Sequence, residues 1–146
     1  MAAHTIKFEI VTPEQVVLQE DVLRATIPTE WGEVTILPEH MPLISILKPG
    51  VIELEKPDKQ LDLVVISGGF LEVFSSKIVI LADYAERAGN LNEEIIAEAR
   101  TKAEQAKLEA KNQDDVEFAD ISAKLEMELF KTKALNRWRR IKRLDK

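Results

Sequence analysis

Side-chain chemistry needs a nucleophile, a base poised near neutrality or a set of metal ligands, and this sequence is poor in all three. It holds two histidines, His4 and His40, and no cysteine. Without thiols there is no disulfide framework, no cysteine nucleophile and no cysteine zinc site, and nothing demands an oxidising compartment. Neither histidine stands in a His-x-x-x-His or Glu-x-x-His spacing, so no metal centre is expected. His40 lies between Pro38 and Pro42 and reads as a loop residue that satisfies the backbone or touches a partner, rather than a general base. Ser67-Gly68-Gly69 is no nucleophile elbow, and Pro49-Gly50 is turn chemistry without a phosphate-cradling pattern. Asp114, Asp115, Glu117 and Asp120 lack the loop glycine and spacing of a calcium site; capping and solvation account for them. No enzyme constellation stands out, and no cofactor is called for.

What remains is charge. The formal net charge is -6, but it is unevenly spread: residues 1–88 carry 7 basic against 14 acidic side chains. Residues 131–146 reverse this, with Lys131, Lys133, Arg137, Arg139, Arg140, Lys142, Arg143 and Lys146 against Asp145 alone. A basic tip that includes Trp138 suits phosphates or anionic lipid, because Lys and Arg release counterions and Trp stacks or inserts. The acidity of the whole chain argues against a nucleic-acid partner. An arm whose positive end meets an acidic protein surface fits better.

These groups are positioned by two kinds of structure that meet at a seam, Ala82 to Asn90. Before it, apolar residues alternate or run in short blocks cut by Gly and Pro; from Leu91 onward they recur every three or four residues, without Gly or Pro. Thr5 to Val11 alternates, with Ile6, Phe8 and Ile10 on one face. Val16 to Ile27 is a second β stretch, followed by a turn at Pro28-Thr29-Glu30-Trp31-Gly32-Glu33 and a strand over Val34 to Leu37. Pro38 to Pro42 is a fixed loop. Leu43–Leu47 and Val51–Glu55 read as a hairpin about Lys48-Pro49-Gly50. Leu61–Ser67, Phe70–Phe74 and Lys77–Leu81 read as three strands parted by Gly68-Gly69 and Ser75-Ser76. Many short strands with regular turns indicate a sandwich or flattened barrel.

Past the seam, Asn90 or Asn92 caps a helix whose first turn holds Glu93 and Glu94, and which runs to about Ala110 or Lys111. Lys111-Asn112-Gln113-Asp114 is the reversal, and Asp114 with Glu117 resembles a capping box for a second helix. The first helix aligns Ile95, Ala99, Ala103, Ala106 and Ala110, a stripe that grips weakly because each alanine offers about one methyl, roughly 0.8 kcal/mol per carbon. The second has two nearly opposite apolar stripes: Val116, Ala119, Ala123, Met127, Phe130, Ala134, Trp138 and Ile141, and Phe118, Ile121, Leu125 and Leu129. A hairpin partner covers one; the other must meet the β-domain or another chain. The N-terminus lacks the apolar core of a signal peptide and no stretch approaches a membrane span, so the expectation is a soluble protein that can sit beside a membrane.

Gly32-Glu33-Val34-Thr35-Ile36-Leu37-Pro38-Glu39-His40-Met41-Pro42-Leu43, then Leu47-Lys48-Pro49-Gly50, Ser67-Gly68-Gly69-Phe70-Leu71-Glu72-Val73 and Leu81-Ala82-Asp83, together resemble the epsilon subunit of F-type ATP synthases. The likeness follows the chain in order, and it is more specific in the β part than in the helices, where length, position and Ala/Glu/Lys composition carry it. It implies an α+β chain: a ten-stranded β-sandwich over residues 1–85, then an antiparallel two-helix hairpin over 86–146. It further implies a non-catalytic rotor subunit, one copy per complex, bound to gamma and the ring of c subunits below the alpha and beta subunits of a proton-translocating enzyme. Such a subunit touches the membrane only through the complex, on the cytoplasmic side of a bacterial plasma membrane or the equivalent thylakoid face. By the same resemblance Trp31, Gly32, Glu33, His40 and Met41 face the c-ring. The hairpin would swing between the sandwich and an extended position in which Arg137, Arg139, Arg140, Lys142 and Arg143 meet acidic beta segments and block ATP hydrolysis.

Some members of that family bind ATP through an aliphatic-Asp-x-x-Arg-Ala motif, which aligns with Leu91-Asn92-Glu93-Glu94-Ile95-Ile96. Asn92 replaces the Asp and Ile95 the Arg, and Glu86 alone matches an acidic position upstream, so ATP binding is expected to be weak or absent. The competing class is a free-standing adaptor, a β-sandwich whose basic helical arm binds an acidic protein or an anionic membrane surface.

Overall fold

The computed structural model describes residues 4–110 and 115–144. The chain forms two compact units, residues 1–88 and 89–146. The first is all β. Its strands are β1 (Ile6–Val11), β2 (Val16–Val22), β3 (Arg24–Thr29), β4 (Gly32–Ile36), β5 (Leu43–Glu55), β6 (Leu61–Phe74), β7 (Lys77–Leu81) and β8 (Ala85–Arg87).

Eight strands are present among the described residues, in the order β2-β1-β7-β6-β5-β3-β4 with β8 also on β6, which corrects the expected ten. The reason lies in β5 and β6, whose 13 and 14 residues pair along nearly their whole length. Lys48-Pro49-Gly50 is therefore not a hairpin turn, and Gly68-Gly69 does not separate two strands. Both are bends. The Phe70–Phe74 end of β6 pairs with β7, while its Val64–Ile66 segment pairs with β8. One half of each long strand thus belongs to each layer, so ten strand segments make a sandwich from eight continuous strands. Pro49, which has no N–H to donate, lies opposite Ser67 at the bend, where the loss of a ladder bond costs least. Gly68 and Gly69 take φ of +105° and +134°. A Cβ on Gly69 would stand 2.0 Å from the Leu81 carbonyl oxygen, so no side chain fits there.

The core follows the β alternation. Ile6, Phe8 and Ile10 point inward and pack with Ile27, Ile36, Ile52, Leu54, Leu71, Ile78 and Ile80. Leu63 to Ile66 is buried at every position, as a continuous apolar run requires. The stretch read as one strand from Val16 to Ile27 breaks at Leu23 into β2 and β3.

A short 3-10 turn, Ala88–Asn90, runs across the boundary into the second unit and is followed by α1 (Glu93–Glu109) and α2 (Asp115–Leu144). Asn92 is the N-cap: its side-chain oxygen accepts from Glu94 N at 2.9 Å and Ile95 N at 3.3 Å. The helices are antiparallel, since Arg139 near the end of α2 pairs with Glu93 at the start of α1, and Lys107 near the end of α1 lies over Phe118 near the start of α2. Ala99, Ala103 and Ala106 are half-buried and Ala110 is buried, as the weak stripe demands. Ile95 departs from that stripe: it is 64% exposed, and Ile96 is buried in its place. The expected reversal at 111–114, including the Asp114 cap, lies outside the described residues, as do Asp145, Lys146 and the Val116 side chain.

Candidate functional site

The turn between β3 and β4 is built on Thr29. This buried residue donates its hydroxyl proton to the Gly32 carbonyl and accepts from Trp31 N at 3.3 Å. Gly32 sits at φ +118°, and the indole of Trp31 is left 91% exposed. Glu33 is exposed beside it. In the loop before β5, His40 Nδ1 donates to the Met41 carbonyl at 2.7 Å and His40 N donates to Leu37 O at 3.2 Å. That imidazole serves its own backbone, while Met41 is 73% exposed.

A further surface lies on the sheet itself. Ile46 stands opposite Phe70 across β5 and β6, and Phe70 opposite Leu81 across β6 and β7. These three side chains are exposed, and Ile44, two residues along the same face, is 77% exposed. Beside them Val11, Pro13, Gly69, Phe70, Leu81 and Asp83 line an open cleft of about 330 Å³. The sequence reading missed this face. Its signal was the run Leu43-Ile44-Ser45-Ile46-Leu47, which carries large apolar groups on the outward positions and Ser on an inward one.

The basic residues lie in the last turns of α2. Arg139 Nη1 reaches Glu93 Oε2 at 2.8 Å, and Lys142 Nζ lies 5.9 Å from the centre of the Trp138 ring. Arg137, Arg140 and Arg143 are exposed, and at 100° per residue the five cations spread around most of the helix. A groove of about 340 Å³ within the helical unit is lined by Ile96, Arg100, Thr101, Thr132, Leu135 and Asn136 among others. Arg100 Nε is paired there with Glu104 at 3.1 Å.

Of the positions aligned with the ATP motif, Leu91 is half-buried and Asn92 commits its side-chain oxygen to the helix cap. In the other unit, Glu86 accepts a hydrogen bond from the Tyr84 hydroxyl. Among the described residues no group of three or more His, Asp or Glu is placed to hold a metal, and no helix is long and apolar enough to cross a membrane. The Arg24 guanidinium has its pKa raised above the usual value, chiefly by its hydrogen bond to Glu55. It was already cationic, so this changes no chemistry near neutrality.

Residues 5–88 match the model of the ATP synthase delta/epsilon chain β-sandwich domain. An ATP synthase epsilon chain of Herpetosiphon aurantiacus is 42% identical over 80% of this chain and 85% of its own length. That of Nitrosococcus oceani is 36% identical over 94% of this chain and 97% of its own. Among solved structures, a chain in the Euglena gracilis mitochondrial ATP synthase, in an assembly of OSCP, F1 and c-ring, superposes with a TM-score of 0.76. It is 27% identical, with 90% of this chain and 82% of that chain covered. With a sandwich of this topology, two helices behind it and likeness along most of its length, the chain belongs to the ATP synthase epsilon-chain family.

Proposed function

We propose that this chain is a non-catalytic central-stalk subunit of a proton-translocating F-type ATP synthase, present once per complex, and that it couples the c-ring to gamma. The observation that carries the reading is the uncovered apolar face of Ile44, Ile46, Phe70 and Leu81. A contiguous apolar surface on a folded domain marks a protein interface, and on this reading gamma is its occupant. Trp31 and Met41, apolar and exposed, then serve as anchors on the c-ring, with Gly32, Glu33 and His40 shaping their two loops. Aromatic side chains in such positions contribute most of an interface's energy. The complex sits at the cytoplasmic face of a bacterial membrane or the equivalent thylakoid face, and the subunit is peripheral to it.

Charge supports the second half of the reading. Five cations at the end of α2 meet acidic segments of beta, beside alpha, and restrain ATP hydrolysis when the helical unit extends. The buried side of α1 is mostly alanine, with Ile96, a small apolar grip of the kind that lets two packings of a pair differ by only a few kcal/mol. Glu86, Leu91 and Asn92 do not form a strong ATP site on this reading. Isothermal titration with ATP should show no micromolar binding.

The experiment is co-purification. A tagged chain should bring down gamma and the catalytic head, and a double variant Ile46→Ser with Phe70→Ser should lose both while remaining folded, because the two side chains are exposed. Recovery of the wild-type chain without gamma would overturn the reading in favour of a free-standing adaptor.

A further inference from the structure

The end of α2 returns to the start of its own unit, and two contacts fasten it there. Gly89 lies in the short turn ahead of α1 with a φ outside the left-handed region, so its backbone does not require glycine. Space does. A methyl group added at Gly89 would stand 3.2 Å from Cζ2 and 3.4 Å from Cε2 of Trp138. The indole therefore lies against the glycine backbone, at a distance a side chain would enforce only by pushing it away. One residue on, Arg139 reaches Glu93 in the first turn of α1 at 2.8 Å.

We propose that Gly89 with Trp138 and Glu93 with Arg139 form a clasp that keeps the helical pair closed. It holds one of the inhibitory cations on the chain's own carboxylate. The inference rests on the reading of the basic end as the inhibitory contact, and it names what must let go before that end is offered elsewhere. Three features point this way. The seam of α1 with α2 carries Ile96, Ala99, Ala103 and Ala106 on one side and the buried Ala134 and Leu135 on the other, mostly small groups, and the indole against Gly89 adds the bulkiest side chain of α2 to its open end. The clasp lies at the open end, opposite the four residues, 111–114, that join the helices, and separation must begin where the chain does not connect them. Arg139 and Glu93 are both well exposed, at 43% and 65%; such a pair is weak and screened by salt. It sets register, and the indole is the part of the clasp that salt does not screen.

The chain has no cysteine, so Glu98→Cys with Asn136→Cys gives two clean positions for spin labels on exposed sites of the full-length protein. The wild-type background should show one short separation. Trp138→Ala and Gly89→Leu should each add a longer one, raising its population about tenfold, and Glu93→Gln should raise it about twofold. Trp138→Phe should fall between wild type and Trp138→Ala. Helix content by circular dichroism should be unchanged in Gly89→Leu, which leaves α2 intact. A single short separation in both Gly89→Leu and Trp138→Ala would overturn the clasp. So would loss of helix in Gly89→Leu, which would make the contact a condition of folding. If separation grows but hydrolysis by the assembled synthase is no more inhibited, the clasp stands and the inhibitory reading of the basic end falls.

Discussion

Asp62 is a carboxylate that only a specific set of partners makes tolerable. It is 5% exposed on β6, and Oδ2 accepts from Arg87 Nη2 at 2.6 Å while Lys56 Nζ stands 3.8 Å away. Its other oxygen accepts from Leu63 N at 3.0 Å. Arg87 belongs to β8, so the pair staples the last strand of the sandwich to β6. Removing one partner of a buried charge leaves the other unsatisfied, at about 1–3 kcal/mol. With Arg87 one-third exposed and Lys56 close by, Arg87→Ala should cost toward the lower end of that range. Denaturant titration of the isolated chain measures it, and a loss below about 0.5 kcal/mol would show that Lys56 alone suffices. Trp31 is the opposite case. At 91% exposure it contributes little to the fold, so Trp31→Ala should change stability by less than about 0.5 kcal/mol. The same variant should weaken retention of the subunit on the membrane-bound complex in a wash assay. If stability falls and retention does not, the indole is structural.

Two elements, β5 and β6, separate what the sequence makes legible from what it hides. The alternation of Ile6, Phe8 and Ile10 reads directly as a core face, and the polar start of α1 reads as a cap, with Asn92 rather than Asn90 making it. Pro49-Gly50 and Gly68-Gly69 carry the local signal of turns, yet both lie inside continuous strands. Propensity records that the backbone must bend at these points, whereas only the cross-strand register decides whether it reverses. The apolar face of Ile44, Ile46 and Phe70 was hidden for a related reason: an apolar residue in a strand is assigned to the core unless something shows that it points out. Ile95 and Ile96 were exchanged because adjacent apolar residues fit a helical stripe almost equally well. The bend and the cap both give measurable consequences. Gly69→Ala drives a methyl into the Leu81 carbonyl at a positive φ, and should destabilise the sandwich by about 3 kcal/mol or prevent folding. Asn92→Ala removes two capping bonds and should cost the helical unit about 1 kcal/mol, read from thermal loss of helical circular dichroism. An unchanged midpoint would mean that neighbouring acids already satisfy the first turn.

At the scale of the molecule, the two units divide exposed apolar surface from positive charge. The β unit is acidic and carries the exposed apolar face and Trp31; the helical unit carries the basic end. An interface made of apolar area is insensitive to salt, whereas one made of exposed cations is screened within about 8 Å at physiological ionic strength. The proposed functions should therefore separate on a salt titration: retention of the subunit should persist while restraint of ATP hydrolysis fades. Replacing Arg137, Arg139, Arg140, Lys142 and Arg143 together by glutamine keeps the helix-forming character of the segment. Each exposed pair contributes about 0.2–1 kcal/mol, so five lost pairs weaken the proposed inhibitory contact by roughly 1–5 kcal/mol. That is from about fivefold to between three and four orders of magnitude in its equilibrium constant. The assembled enzyme with this variant should hydrolyse ATP faster than wild type at low salt and at an equal rate at high salt, with the same amount of subunit bound. Equal rates at low salt, with subunit occupancy confirmed, would remove the basic end from the mechanism and leave it as the solvated terminus of a helix whose dipole favours cations there.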